Sequence, residues 1–244
     1  IAGDQEPVTG STFRNGHASK ARIAFTYLGD ISGTNLYSKF VAAHNAGARD
    51  HSNSWGNDGT TSYISWCVAI DQYSWDYEEG VVAFAVTNTS TLKAPENAKS
   101  CLAVGNTQQA PNQHNANTGG TGPTADGRRK PEIWAPGTGI MSASSSNQSG
   151  WTSMTGTSMA CPAITGACAL VRQYFAEGYQ ATGEPSNRKH VASGSLIRAM
   201  IMNSGVDMTG LSGYPGNKEG WGRLLLDRGL YFRGDPRGMI AADR

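Results

Sequence analysis

The feature that most limits the fold is a run of six apolar residues, VVAFAV, from Val81 to Val86. A strand that is exposed on one face alternates apolar and polar residues, whereas a strand covered on both faces is apolar throughout. The run therefore predicts a strand inside a parallel sheet with helices packed on both sides. Such a sheet requires strands and helices that alternate along the chain.

The rest of the sequence supplies this alternation. Short β-rich runs predict further strands at residues 21–28, 51–55, 101–106 and 132–137. Helical spacing of apolar residues predicts helices at residues 36–47, 62–80, 158–175, 195–203 and 222–232. The stretch from Gln108 to Arg129 is rich in Asn, Thr and Gly and predicts a loop. The expected fold class is α/β, a three-layer sandwich around a mostly parallel sheet.

Charge and hydropathy exclude two classes of partner. The 244 residues carry a net charge of +1, with Lys and Arg scattered along the chain. A nucleic-acid-binding surface groups its basic residues in a patch or stripe, so no nucleic-acid partner is expected. No apolar run approaches the ~18 residues of a membrane-spanning helix, so no membrane span is expected. The opening IAGDQEP has neither Met nor a basic leader and is interpreted as an internal start.

The four cysteines predict no metal site. Cys161 and Cys168 lie on a predicted helix, separated by a rise of about 10 Å, which is too far for a disulfide. They are interpreted as small buried apolar residues. A disulfide between Cys67 and Cys101 is left open. No Cys-x-x-Cys motif and no Cys/His cluster occurs in the sequence, so no structural zinc is expected.

A Gly-Thr turn precedes the longest apolar helix, in the string GTSMACPAITGACALV that begins at Gly156. The turn delivers Ser158 to the start of the helix, where free backbone N–H groups and the helix dipole stabilise negative charge. Gly, Thr and Ser are also ordinary helix-capping residues, so the short string alone is unspecific. The longer string resembles the nucleophile motif of the subtilase family, GTSMAxP, matched by Gly156, Thr157, Ser158, Met159, Ala160 and Pro162.

This resemblance implies roles for two residues. Ser158 would be the nucleophile of a serine protease. The string VVAFAVTN resembles the family's strand that ends in an oxyanion-binding asparagine, which would be Asn88. The family's usual ending carries Gly before the Asn and another Gly shortly after it, whereas this chain has Thr87, Thr89 and Ser90 there. Taken alone, Asn88 would be an ordinary residue of a turn after a strand.

The resemblance also implies a peptide-binding surface. The string HSNSWGN, from His51 to Asn57, resembles the family strand that aligns the substrate by backbone pairing. Glycine at its end lets a peptide backbone approach closely. The residues expected to bind substrate are Ser54, Trp55, Gly56, Ala85, Val86, Thr87, Gly156 and Thr157.

The similarity extends over nearly the whole chain and is greatest to large subtilases with a C-terminal β-sandwich. It identifies residues 1–232 as the C-terminal portion of a catalytic domain, incomplete at its N-terminal side. Residues 233–244 change character and are interpreted as the start of a truncated C-terminal β-domain. Neither the family's Asp strand nor its His block is present. Ile1-Ala2-Gly3 resembles the tail of the helix that carries the His, and none of the five histidines stands in a matching motif.

The expected function is that of a serine endopeptidase with an Asp-His-Ser mechanism, of which this chain lacks the Asp and the His. A non-catalytic peptide-binding module of the same fold is the alternative. A lipase-like hydrolase is disfavoured because its nucleophile lies in G-x-S-x-G, whereas Met159 and Ala160 follow Ser158. The implied partners are a polypeptide substrate and the missing N-terminal segment of the same domain. The chemistry needs no cofactor, a structural calcium ion is left open, and the resemblance implies a secreted protein.

Overall fold

The structure is a computed structural model that describes residues 1–3, 15–146 and 149–243. Its strands are β1 (Asp50–Asn53), β2 (Val81–Ala85), β3 (Leu102–Thr107), β4 (Ala116–Thr118), β5 (Ile133–Pro136), β6 (Ile140–Ala143), β7 (Trp151–Met154), β8 (Gly205–Val206) and β9 (Arg223–Leu224). Its helices are α1 (Leu36–Asn45), α2 (Ser65–Asp76), α3 (Thr157–Ala176), α4 (Gly194–Asn203) and α5 (Leu226–Gly229).

The main sheet is mostly parallel. Its strand order is β1-β2-β3-β5-β9-β8, and β4 pairs with the end of β3. The pairs from β1 through β9 are parallel, while β4 and β8 run antiparallel to their neighbours. Strands β6 and β7 form a separate antiparallel hairpin just before α3. The predicted α/β fold class is confirmed.

Strand β2 is buried on both faces, as its apolar run predicts. Val81, Ala83 and Ala85 belong to the core under α3 and α4. Val82 and Phe84 point the other way, into the core beneath α1 and α2. The sheet is therefore the middle of three layers. In the described part of the chain, no helix is both long and apolar enough to cross a bilayer.

Three local predictions were wrong. Residues 21–28 form no strand, because no described strand lies beside them to complete a ladder. Residues 222–232 begin with β9 rather than a helix, because Arg223 pairs with Trp134 of β5 and with Val206 of β8. The Gln108–Arg129 loop contains β4, which pairs with the end of β3.

The C-terminal tail packs against α4. Residues 233–243 form neither helix nor strand, and the Asp243 carboxylate accepts hydrogen bonds from the Ser193 backbone N–H at 2.7 Å and from His190 Nε2 at 2.9 Å. Residue 244, like residues 4–7 of the opening stretch, lies outside the described residues. The domain boundary after residue 232 stays a prediction.

All four cysteines are free and buried, so the Cys67–Cys101 disulfide left open by the sequence is not formed. Burial raises the pKa of the Cys161 thiol to about 11 and that of Cys101 to about 12. These thiols are therefore protonated at neutral pH and pack as small apolar groups, as predicted for Cys161.

Strand β1 is an open edge of the described sheet. The Arg49 carbonyl accepts from Val81 of β2, and successive residues of a strand direct their backbone groups to opposite edges, so Asp50 and Ser52 direct theirs away from β2. A groove of about 690 Å³ lies there, with residues 21–28 along its far side. Ile23, Phe25 and Tyr27 alternate along that segment and are 71%, 84% and 66% exposed.

A buried polar group lies beside this edge. The Tyr73 hydroxyl is 2.8 Å from His51 Nε2 and 3.1 Å from His44 Nδ1. Burial, with smaller contributions from the positive charges of His44, Arg49 and Arg172, lowers the pKa of His51 to about 4. His51 is therefore neutral in the folded protein at neutral pH.

We expect the purified 244-residue chain to self-associate, because an open strand edge with apolar neighbours pairs with other chains. Phe25→Lys should lower its light scattering at equal concentration by placing a charge beside the groove. Trp75→Lys, at an equally exposed site on α2 (82% exposed), is the matched control and should scatter like the parent chain. Equal effects of the two substitutions, or a sharp reversible thermal transition of a parent monomer, would contradict the expectation.

The His51 pKa predicts a loss of stability in acid. The folded-state pKa lies below the unfolded value of about 6.5, so the contribution is complete above pH 6.5 and is lost as the pH falls toward 4. Between pH 7 and pH 4.5, His51 should account for a loss of about 2–3 kcal/mol in the free energy of unfolding. Urea unfolding of the Phe25→Lys chain, which is expected to associate less, measures this when it is followed by tryptophan fluorescence. His51→Asn should flatten the pH dependence by that amount; an equally steep dependence with and without His51 would contradict the prediction.

Candidate active site

The segments expected to carry the chemistry meet at the carboxyl edge of the sheet, where open α/β folds place their sites. Ser54 follows β1, and its hydroxyl donates to the Ser158 carbonyl oxygen at 2.9 Å. Val86 follows β2, and its carbonyl oxygen accepts from the Thr157 hydroxyl at 2.5 Å. The start of α3 is therefore bonded to the ends of two neighbouring strands.

Two glycines make room for the turn into α3. Gly156 has a φ of +156°, and a Cβ added there would lie 3.2 Å from Asn88 Oδ1. Gly137, which follows β5, approaches so closely that an added Cβ would lie 2.5 Å from the Gly156 carbonyl oxygen. A side chain at Gly137 would push the turn away from the sheet, so the position of Ser158 depends on glycine there.

Pro162 lies in the second turn of α3. A residue with an N–H at this position would donate to the carbonyl oxygen of Ser158, four residues earlier. Proline has no N–H, and the Ser54 hydroxyl donates to that oxygen instead. The end of β1 thus supplies the hydrogen bond that the helix lacks.

Ser158 is the second residue of α3 and is half-buried. Its backbone N–H donates to no acceptor among the described residues, as expected in the first turn of a helix. Its Oγ likewise has no hydrogen-bond partner within the described chain. The first turn therefore offers an unpaired N–H beside an unpaired hydroxyl.

The Asn88 side chain lies against the same turn. Its Oδ1 is 3.1 Å from the Thr157 backbone N, and a backbone N–H can only donate, so the atom facing it must be the amide oxygen. The amide nitrogen, Nδ2, consequently points the other way. It donates to no described residue, and Asn88 is exposed to solvent. Asn88 Nδ2 and the Ser158 N–H are thus two donors without an acceptor among the described residues; Asn88 bonds to Thr157, the residue that precedes Ser158.

The backbone of residues 54–56 is free to pair with a peptide. No backbone hydrogen bond joins Ser54, Trp55 or Gly56 to the rest of the described chain. The Trp55 ring turns inward, where it packs edge-on against Trp66 and Phe84. Trp55 can therefore contribute its backbone to a substrate, while its indole stabilises the strand end.

The end of β2 is buried, and its backbone is already paired. Ala85, Val86 and Thr87 are 7%, 1% and 7% exposed. The Thr87 N–H donates to Glu96 Oε1 at 3.1 Å, and the Thr87 carbonyl accepts from Gly120. The Val86 N–H donates to Val104. These residues can form the wall of a subsite but offer no free N–H at Val86 or Thr87.

Three residues near Asn88 were not predicted from the sequence to belong to the site. Glu96 is 1% exposed, its pKa is raised by burial, and its carboxylate accepts from the N–H groups of Thr87 and Lys93. Thr118 and Asn106 lie behind the Asn88 amide. None of the three stands in a motif, and only the folded chain brings them to the end of β2.

Three histidines form side-chain hydrogen bonds, and none of these bonds is to Ser158. His44 and His51 contact Tyr73, and His190 contacts Asp243. Within the described residues, none of the five histidines bonds to Ser158, and no cluster of three or more His, Cys, Asp or Glu residues has the arrangement of a metal site.

The curated Serine protease/ABC transporter B family protein tagB of Dictyostelium discoideum is 35% identical over an alignment of 144 residues, and the match covers 46% of this chain and 8% of tagB. The chain thus spans only a small part of that relative's length.

Solved structures share the fold. The prenylagaramide maturation protease PagA superimposes with a TM-score of 0.65 and 19% identity over 85% of this chain and 70% of its own. The PatG macrocyclase, solved in complex with peptide, has a TM-score of 0.59 and 20% identity over 82% of this chain and 56% of its own. At these identities the likeness concerns the fold alone.

A sequence model of the subtilase family (peptidase family S8) matches residues 1–222, which include Ser158, Asn88 and every strand of the sheet except β9. The sequence motif, the parallel sheet and the start of α3 agree with that match. The chain belongs to the subtilase family.

Proposed function

We propose that this chain is the nucleophile-bearing part of a serine endopeptidase domain. The observation that supports this most is the start of α3, where the hydroxyl and the N–H of Ser158 are both unpaired and the adjacent Thr157 N–H bonds to the oxygen of the Asn88 amide, whose nitrogen is free. A hydroxyl nucleophile next to preorganised donors is the arrangement that acyl transfer requires.

In the proposed reaction, Ser158 Oγ attacks the scissile carbonyl carbon and forms a tetrahedral intermediate. The C=O bond opens to an oxyanion, which receives hydrogen bonds from the Ser158 N–H and Asn88 Nδ2. The Ser158 proton passes to a histidine base, which then protonates the leaving amine. In this family the histidine and its orienting aspartate precede the nucleophile in the chain, and the proposal assigns them to a segment outside these 244 residues. No cofactor takes part.

The substrate in this proposal is an extended polypeptide. Residues 54–56 have unpaired backbone groups at the carboxyl edge of the sheet, so a peptide can add there as a further strand. Ser54 also bonds to the Ser158 carbonyl, which fixes the peptide-binding strand relative to the nucleophile.

The groove beside β1 supports a second partner, the segment of the same domain that carries the Asp and His. The groove presents the backbone of Asp50 and Ser52 on one side and a row of exposed apolar side chains on the other. An extended segment lying there would cover that apolar row and complete the sheet.

A non-catalytic peptide-binding module is the second candidate. The observation that favours it is that no described histidine bonds to Ser158. The two candidates differ in the reactivity of Ser158 within a complete domain, because only a base-activated serine reacts rapidly with a fluorophosphonate.

Asn88→Ala in a complete domain should lower kcat by about 10²–10³, the factor known for the corresponding change in subtilisin. KM should change little, because the lost donor acts on the charge that develops in the transition state. Steady-state kinetics on a fluorogenic peptide measures both constants. A rise in KM at constant kcat would assign Asn88 to substrate binding instead.

The 244-residue chain alone should show no measurable proteolysis, because its Ser158 lacks a base. Casein cleavage and fluorophosphonate labelling should both appear when the segment carrying the Asp and His is restored. Ser158→Ala should abolish both in the restored protein, whereas Ser153→Ala, on β7 nearby, should abolish neither. Cleavage by the 244-residue chain that Ser158→Ala removes would mean that a base lies within this chain.

A further inference from the structure

The Asn88 amide has a second support that the family motif does not specify. Besides the Thr157 N–H, the Thr118 hydroxyl lies 3.2 Å from Asn88 Oδ1. Thr118 is the last residue of β4, the strand that pairs with β3 where the sequence predicted only loop. The Thr157 hydroxyl is also 3.2 Å away, but a hydroxyl has one proton, and the Val86 carbonyl at 2.5 Å is the closer acceptor.

Asn106 determines the direction in which the Thr118 hydroxyl donates. Asn106 is fully buried on β3, and its Nδ2 donates to Thr118 Oγ1 at 3.0 Å. One lone pair of Thr118 Oγ1 thus accepts from Asn106. The hydroxyl proton of Thr118 is therefore directed to its other partner, Asn88 Oδ1. The three side chains form a relay of hydrogen bonds, Asn106 to Thr118 to Asn88.

The relay acts on the orientation of the Asn88 amide. Asn88 is exposed, and an exposed amide held by one donor can rotate about its last side-chain bond. Two donors on Oδ1, from Thr157 and Thr118, approach from different elements of the fold. Together they hold the oxygen inward and leave Nδ2 without an acceptor among the described residues.

We propose that Thr118, oriented by the buried Asn106, is a positioning residue for oxyanion stabilisation: it keeps the Asn88 amide nitrogen facing the reacting carbonyl. The proposal rests on the proposed protease function. It gives β4 and the loop that carries it a role in turnover, although Thr118 itself touches no reacting atom.

The test is a double-mutant cycle in a complete protease domain containing these residues. Thr118→Val, which keeps the shape and removes the hydroxyl, should lower kcat about tenfold, the rate equivalent of one ordinary hydrogen bond. KM should stay within about twofold, because Thr118 does not contact substrate. In the Asn88→Ala background the same substitution should have no further effect, because Thr118 acts only through Asn88.

Controls separate positioning from general destabilisation. Thr121→Val removes a neighbouring hydroxyl, whose bond to the Ser90 carbonyl is long at 3.4 Å and lies outside the relay, and it should leave kcat unchanged. Thr118→Ser should restore most of the kcat lost in Thr118→Ala, and this pair carries the same contrast if Thr118→Val does not fold.

An equal loss of kcat on Thr118→Val with and without Asn88 would overturn the positioning role, as would a parent-like kcat in Thr118→Val and Thr118→Ala. If Asn88→Ala itself left kcat unchanged, the proposed oxyanion role of Asn88 would fail instead, so the two failures are distinguishable.

Discussion

The hydrogen bond from the Thr157 hydroxyl to the Val86 carbonyl oxygen joins the first residue of the longest helix to the end of β2, a strand that is buried on both faces. Both partners are about 1% exposed, so water does not compete for the bond and its loss would leave buried polar groups unpaired. It fixes the distance between Ser158, on the next residue of the helix, and Asn88, two residues beyond Val86. The relation between the Ser158 hydroxyl and the Asn88 amide is thus a property of the core.

The polar groups around that bond are paired inside the protein almost completely. The Thr87 N–H bonds to Glu96, the Thr87 carbonyl to Gly120, and the Thr157 N–H to Asn88. Among the described residues, three groups at this end of the sheet have no such partner: the Ser158 N–H, the Asn88 amide nitrogen and the backbone of residues 54–56. Buried polar groups are normally satisfied, and the groups left free here are those to which the proposed function assigns the peptide and the oxyanion.

The sequence predicted the parts of this arrangement that are encoded locally. The unbroken apolar run of β2 predicted a strand covered on both faces, and the string from Gly156 to Pro162 predicted a serine at a helix start. Residues 21–28 were predicted as a strand from their own composition, but a strand also needs a neighbour, which the described chain does not provide. Thr118 and Glu96 were not predicted as site residues, because they contact Asn88 and Thr87 only in the folded chain and no local sequence pattern indicates those contacts.

Pro162 has a consequence for how sequence changes can be tolerated. Because it removes one hydrogen bond from α3, the carbonyl oxygen of Ser158 relies on the hydroxyl of Ser54, 104 positions earlier in the chain. Positions 54 and 162 therefore form a compensating pair. With a residue at 162 that has an N–H, the Ser158 carbonyl oxygen would not need a hydroxyl at position 54. If that hydroxyl were lost while proline remained, the Ser158 carbonyl oxygen would have no donor from either position. Substitutions at these two distant positions should be read together in any variant of this domain.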